Sequence, residues 1–118
     1  EAVGLLPYQV PPQGQGQWAP FFGKDAYTMT LAARLALQTG ASVILARCER
    51  LPAGRGYELF FEALPMQLSA QLEDAVVQLN QAMEHTIQQC PTQYLWGYGR
   101  YKQPRQEAAV SASEGGTA

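Results

Sequence analysis

The spacing of apolar and polar positions predicts two amphipathic helices. In the first, over residues 25–39, apolar residues recur every three or four positions: Leu31, Ala32, Leu35 and Ala36. Asp25 is expected to cap its start, and Gly40 to end it in a left-handed conformation. The second, over residues 72–89, has a longer stripe: Leu72, Ala75, Val76, Leu79, Ala82, Met83 and Ile87. Each stripe predicts one helix face packed on a core.

Three segments have the patterns of β-strands. Residues 2–6 form a short apolar run, and residues 43–46 are apolar at every position, as in a strand covered on both faces. Residues 57–63 alternate instead, which predicts a buried face made of Tyr57, Leu59, Phe61 and Ala63. The short turn at residues 51–56 makes this last strand antiparallel to the one before it. A helix between the first two strands predicts a right-handed parallel crossover.

Together these elements predict an α/β fold with two main helices. Its sheet is partial and mixed, because a parallel strand–helix–strand crossover joins an antiparallel hairpin. Residues 11–19, rich in proline, glycine and glutamine, are predicted to be a loop. Residues 1–104 are interpreted as a portion of a larger domain, and residues 105–118 as a disordered tail. The abrupt start at EAVGLL, as if cut within a strand, favours that interpretation.

Composition narrows the classes of function. The 118 residues carry a net charge of −2, so overall electrostatics give no support to a nucleic-acid partner. The two cysteines are spaced neither as a metal site nor as a redox pair, and no metal or other cofactor is predicted. No apolar run approaches the roughly 18–20 residues that span a bilayer. From composition alone, a solvated surface is the favoured interpretation of the basic residues.

Two candidate motifs for catalysis or cofactor binding have simpler explanations. Gly14-x-Gly16-x-x-Ala19 matches a dinucleotide-binding pattern, but Pro20 and two phenylalanines follow where a helix should begin. A flexible loop is therefore the preferred interpretation. His85 is the only histidine, and it lies within a predicted helix without a carboxylate at a spacing that defines a dyad. We interpret it as a helix-border residue, not as a catalytic base.

Three motifs resemble those of the lipid A biosynthesis lauroyl acyltransferases, within the wider lysophospholipid acyltransferase-like group. They are PFFGKDAYTMTLAARLALQTGA at residues 20–41, R-x-x-x-G-x-G-Y at residues 50–57 and PTQYLWGYGRYK at residues 91–102. The resemblance extends over residues 4–104. It implies an enzyme on the cytoplasmic face of the inner membrane that moves an acyl chain from acyl carrier protein to a Kdo-bearing lipid A precursor. The partners implied are these two substrates, the membrane surface and the missing N-terminal half of the same enzyme.

In that family an upstream His-x4-Asp/Glu dyad acts as the base, and this sequence contains no such motif. The resemblance therefore implies a C-terminal portion of the enzyme, and we expect the isolated chain to be inactive. Tyr8 stands where the family commonly has aspartate, which removes a carboxylate near the expected acceptor site.

The candidate substrate-binding residues follow from the motifs and their chemistry. They are Arg50, Arg100 and Lys102 for anions, with Gln9, Thr28 and Thr30 as residues lining the site. Large aromatic residues at 94 and 96 are expected to pin a turn from which Arg100 and Lys102 project. An alternative is a non-catalytic module that docks on a membrane surface or a protein through residues 94–102, where aromatic and basic residues alternate.

Overall fold

The structure is a computed structural model in which residues 1–106 are described. Its strands are β1 (Gly16–Phe21), β2 (Lys24–Met29), β3 (Ile44–Arg50) and β4 (Tyr57–Ala63), and its helices are α1 (Leu31–Thr39) and α2 (Leu72–Gln88). The predicted α/β class with two main helices is confirmed. Within residues 1–106, neither helix has both the length and the apolar composition needed to cross a bilayer. The predicted tail lies mostly in residues 107–118, outside the described residues.

The predicted parallel crossover is wrong. The described strands form two separate antiparallel pairs: an N-terminal hairpin of β1 with β2 and a C-terminal hairpin of β3 with β4. Residues 2–6 are not a strand, whereas the second half of the predicted loop forms most of β1. The start of the predicted first helix is β2, so Asp25 lies in a strand and does not cap a helix. Helix α1 begins only after Thr30.

The N-terminal hairpin depends on an unusual two-residue turn. Phe22 and Gly23 both have positive φ, 52° and 78°, as the preferred two-residue hairpin turn requires. A phenylalanine rarely adopts this conformation. Here the Phe22 amide donates to Glu84 Oε2 on α2 at 2.9 Å, and its ring packs on Phe21 with 4.8 Å between centroids. These contacts stabilise a turn that the local sequence does not favour.

Helix α2 covers the N-terminal hairpin and contacts α1. One core cluster contains Ala19, Ala33, Ala75 and Val76, all at most 1% exposed. The three alanines are small, so helix and hairpin backbones can approach closely. The amphipathic stripe predicted for α2 is confirmed by the burial of Ala75, Val76, Ala82 and Ile87. Gly40 ends α1 with φ 69°, as predicted.

The C-terminal hairpin forms as predicted, but its apolar face is not buried. Tyr57, Leu59 and Phe61 are 70%, 63% and 68% exposed. Ile44, in the run expected to be covered on both faces, is 55% exposed. The other face of the hairpin lies toward α2, where Glu62 approaches His85. The predicted burial is therefore wrong for residues 1–106, because no element among them packs on this side.

Candidate functional site

The segment after α2 folds back so that Arg100 points into the protein. The Trp96 amide donates to the Tyr94 carbonyl, and the Arg100 amide to the Tyr98 carbonyl, each at 2.8 Å. These successive turns bring Arg100 against the N-terminal hairpin, where only 4% of it is exposed. The expectation that Arg100 projects outward beside Lys102 is therefore wrong.

The Arg100 guanidinium binds β2. Its Nη1 donates to the Tyr27 carbonyl and its Nη2 to Thr28 Oγ1, each at 2.9 Å, and the group lies 5.1 Å from the centroid of the Phe21 ring. Among residues 1–106 no carboxylate lies within ion-pair distance of it, and its buried Nε has no hydrogen-bond partner there. Burial lowers the pKa of Arg100, and the nearby Tyr94, Tyr101 and Tyr98 oppose that effect. Arg100 is thus a buried cation whose partners in this part of the chain are dipoles and a ring.

Thr28 has no free hydrogen-bonding site. Its hydroxyl accepts from Arg100 Nη2 and from Asn80 Nδ2, the latter at 3.0 Å, and donates to the Ala26 carbonyl at 3.0 Å. A hydroxyl has one donor and two acceptor positions, so all three are used. The structure brings together two of the predicted site residues, Thr28 and Arg100. It brings them together as a buried network, with Asn80 as a third member that the sequence did not indicate.

Four residues that we call the tyrosine cluster surround this network: Tyr8, Tyr94, Tyr98 and Tyr101. Tyr8 packs edge-on against Tyr94 and Tyr98, with ring centroids 6.2 and 5.9 Å apart. The Tyr98 hydroxyl accepts from the Val10 amide at 2.8 Å, and the Tyr101 hydroxyl donates to the Phe21 carbonyl. Tyr8, which replaces the expected aspartate, is therefore part of an aromatic contact that joins the two ends of the described chain.

Two lysines place exposed positive charge beside the cluster, and we call them the lysine pair. Lys102 Nζ lies 5.0 Å from the Tyr98 ring centroid, and Lys24 Nζ lies 4.9 Å from the Tyr101 ring centroid. Both side chains stay in contact with solvent. Lys102 was a predicted site residue. Lys24 was not, because the sequence pattern assigned it to a turn before a helix, whereas the hairpin brings it next to the C-terminal turn.

The other predicted site residues are more dispersed. Arg50 ends β3, where Gln93 bonds to both its backbone groups at 2.7 and 3.0 Å, and it borders an open depression of about 360 Å³. Gln9 is exposed and directly precedes Val10, so it lies beside the tyrosine cluster. Thr30 lies at the start of α1, where its hydroxyl accepts from Arg34 Nε at 3.1 Å.

His85 has an acidic neighbour that the sequence did not reveal. Its Nε2 lies 3.8 Å from Glu62 Oε1 on β4, and both side chains are more than half exposed. That distance exceeds a hydrogen bond, so Glu62 does not orient the imidazole as a catalytic base requires.

The interior near Thr28 leaves little room for a substrate. A cavity of about 10 Å³ is bordered by Pro7, Thr28, Asn80 and Met83, among others. This volume accommodates one water molecule at most. It cannot hold an acyl chain or a lipid headgroup, so the accessible chemistry of this region lies at its surface.

The tyrosine cluster supplies a prediction about stability and pH. The buried Tyr94 hydroxyl has no hydrogen-bond partner within residues 1–106, so Tyr94→Phe should keep or raise the free energy of unfolding, by up to about 1 kcal/mol. Tyr101→Phe is the matched control: it removes the bond to the Phe21 carbonyl and should cost about 1 kcal/mol. Urea denaturation at pH 7 measures both, and a loss in Tyr94→Phe as large as in Tyr101→Phe would contradict the prediction.

The pH dependence follows from the same burial. Burial raises the pKa of Tyr94, against the opposing effect of Arg100, above the value of 10.0 expected in the unfolded chain. As pH rises past that value, the unfolded chain loses this proton first, so the folded state loses stability. Tyr94→Phe should therefore lose less free energy of unfolding than the wild-type chain when the pH is raised from neutral to above 10.0.

Comparison with known proteins indicates one family. Residues 1–103 match the family described as bacterial lipid A biosynthesis acyltransferase. A curated relative, the lipid A biosynthesis lauroyltransferase of Escherichia coli K12, is 34% identical over 89 residues. The match covers 72% of this chain and 28% of that relative, so the chain spans less than a third of its length.

Proposed function

Because the chain belongs to the bacterial lipid A biosynthesis acyltransferase family, we propose that it is the C-terminal portion of an enzyme that moves an acyl chain from acyl carrier protein to a hydroxyl of a Kdo-bearing lipid A precursor. The observation that carries this proposal is the family match over almost the whole described chain. The enzyme would work on the cytoplasmic face of the inner membrane, where both substrates are accessible.

In this proposal a histidine outside this chain is the general base. It takes the proton of the acceptor hydroxyl while the hydroxyl oxygen attacks the thioester carbonyl. A carbon–oxygen bond forms, the carbon–sulfur bond breaks, and the proton passes to the departing thiolate of the carrier protein. His85 takes no part, because its carboxylate neighbour is too distant to orient it.

This portion contributes positive charge at a fixed position. The lysine pair contacts anionic groups of the acceptor, and the rings of Tyr98 and Tyr101 hold the two ammonium groups in place. Arg50 and Gln9, both exposed, are further contacts. Arg100 and Thr28 act from the interior by fixing the turn that carries Lys102. Thr30, at the start of α1, is the last residue that we propose to line the site.

A second function, a non-catalytic membrane-docking module, is favoured by one observation. Leu95 and Trp96 are 61% and 53% exposed in the same C-terminal turn as Lys102. Exposed apolar and aromatic residues beside lysine are typical of proteins that bind at a membrane surface. Such a module would bind anionic vesicles without supporting acyl transfer.

The test is a chimera of the E. coli lauroyltransferase in which this chain replaces the stretch that it matches. Acyl transfer from acyl carrier protein to a Kdo-bearing lipid A precursor is then measured. We expect the chimera to be active and the 118-residue chain alone to be inactive. A folded chimera without activity that still binds vesicles would favour the docking module. Turnover by the isolated chain that His85→Ala abolishes would overturn the assignment of the base to a residue outside it.

Within the chimera, Lys102→Ala should raise KM for the acceptor roughly tenfold and leave kcat nearly unchanged, because it removes binding that substrate and transition state share. Lys24→Ala should act in the same direction. Arg55→Ala removes an exposed cation in the β3–β4 turn and is the control. Equal effects of Lys102→Ala and Arg55→Ala would reject the lysine pair as a substrate contact.

A further inference from the structure

The C-terminal hairpin has one face without charged side chains at its centre. We call it the outer face; it consists of Ile44, Ala46, Cys48, Tyr57, Leu59, Phe61 and Ala63. Cross-strand partners put these residues side by side, Ala46 opposite Phe61 and Cys48 opposite Leu59. Its large side chains are 55–70% exposed. Contiguous apolar surface of this kind marks an interface.

The opposite, inner face carries the charge. There the Arg47 guanidinium lies 3.9 Å from the Phe60 ring centroid and forms an ion pair with Glu49. Glu62 of the same face lies near His85 of α2. The hairpin therefore turns its charged face toward the described body and its apolar face toward solvent. This orientation is unfavourable in water unless another element covers the apolar side.

Strand β3 is an edge strand: in the described chain no strand pairs with it on the side away from β4. β4 is the one strand beside β3 in the described chain. The Leu64 amide donates to the Val43 carbonyl and the Leu51 amide to the Gly56 carbonyl, which fixes the alternation of the antiparallel ladder. By that alternation, the backbone groups of Ile44, Ala46 and Cys48 face away from β4. Within residues 1–106 this edge is occupied only at Arg50, by the Gln93 side chain.

We propose that the remainder of the acyltransferase domain covers the outer face and adds a strand to the β3 edge. This inference rests on the proposed function. The added strand would pair the open edge, and a layer packed on the outer face would bury its apolar side chains. The match covers 28% of the curated relative. The rest of that relative is long enough to supply such a layer. An anionic membrane or nucleic acid would need several cations on the face, whereas among the residues of β3 and β4 only Arg50 lies on that side.

Cys48 is a native reporter, because it lies exposed on the outer face. Its rate of reaction with a maleimide is measured by peptide mass spectrometry, so that other thiols do not interfere. The rate is compared in the 118-residue chain, in the chimera with the E. coli lauroyltransferase and in each protein unfolded by urea. We expect Cys48 in the isolated chain to react nearly as fast as in urea, and about tenfold or more slowly in the folded chimera.

A matched pair of variants locates the interface. Leu59→Glu, 63% exposed on the outer face, should restore fast Cys48 reaction in the chimera and leave the stability of the isolated chain unchanged. Leu95→Glu makes the same change at a residue that is 61% exposed but lies outside the face, and should leave Cys48 protected.

Three results would overturn the inference. The first is equal Cys48 rates in the isolated chain and the chimera. The second is an isolated chain that sediments as a dimer with Cys48 protected, because a second copy would then cover the face. The third is a Cys48 that phosphatidylglycerol vesicles protect in the isolated chain but that is not protected in the chimera. A chimera with Cys48 protected but no acyl transfer would reject the proposed function alone, whereas acyl transfer with Cys48 unprotected would reject this interface alone.

Discussion

Arg100→Ala should lower the free energy of unfolding of the 118-residue chain by about 2–4 kcal/mol. The substitution removes two hydrogen bonds from a cation, to the Tyr27 carbonyl and to Thr28 Oγ1. Each such bond contributes about 1.5–3 kcal/mol. Part of the loss is offset because the variant no longer buries a guanidinium that lacks a carboxylate partner within residues 1–106. Urea denaturation monitored by tryptophan fluorescence measures the change.

Two further variants separate charge from geometry. Arg100→Lys keeps the charge but cannot donate to both acceptors in the forked geometry, so its stability should fall between wild type and Arg100→Ala. Arg55→Ala removes an exposed arginine and should change stability by less than about 0.5 kcal/mol. If Arg100→Ala left stability unchanged and weakened acceptor use in the chimera, the direct anion contact predicted from sequence would replace this structural role.

Gly16→Ala should destabilise the fold by about 2–3 kcal/mol, because no space exists for a side chain there. A Cβ atom at Gly16 would lie 2.5 Å from the Thr28 carbonyl oxygen and 2.7 Å from Pro11 Cγ. Both neighbours are held firmly: Thr28 lies in β2, and Pro11 is buried. The hairpin must shift to admit the methyl group, which strains the amides of Gly14 and Gly16 that donate to the Tyr27 hydroxyl.

Gly97→Ala is the matched control for that prediction. A Cβ atom at Gly97 would meet no other atom within 4 Å, so this variant should be close to neutral. Thermal and urea denaturation compare the two variants with wild type. Equal stability of Gly16→Ala and Gly97→Ala would show that the N-terminal hairpin yields more easily than the contacts at Gly16 indicate.

Elements whose cause is local could be predicted from the sequence. The apolar stripe of α2, the left-handed end of α1 at Gly40 and the β3–β4 hairpin each depend on residues within a few positions of one another. Periodicity and glycine placement report directly on such structure. The motifs that resemble the acyltransferase family were also sufficient to identify the family, which the family match over residues 1–103 confirms.

The N-terminal hairpin was decided by tertiary contacts. The sequence from Asp25 onward has a helical pattern, yet a turn with Phe22 in a left-handed conformation precedes β2. That turn is held by Glu84, 62 positions away along the chain. Local propensity depends only on neighbouring residues and takes no account of so distant a partner. A loop and a longer helix were therefore predicted in place of two strands.

The candidate site shows the same division. Its residue types were evident from the sequence, but which cation is buried and which is exposed depended on how the C-terminal turn meets the hairpin. Arg100 is buried because Tyr27 and Thr28, more than 70 positions earlier, accept its hydrogen bonds. Lys102, two residues later, stays at the surface on a tyrosine ring. The sequence determined the chemistry available, and the tertiary structure determined which groups are accessible, because burial is set by contacts between segments distant along the chain.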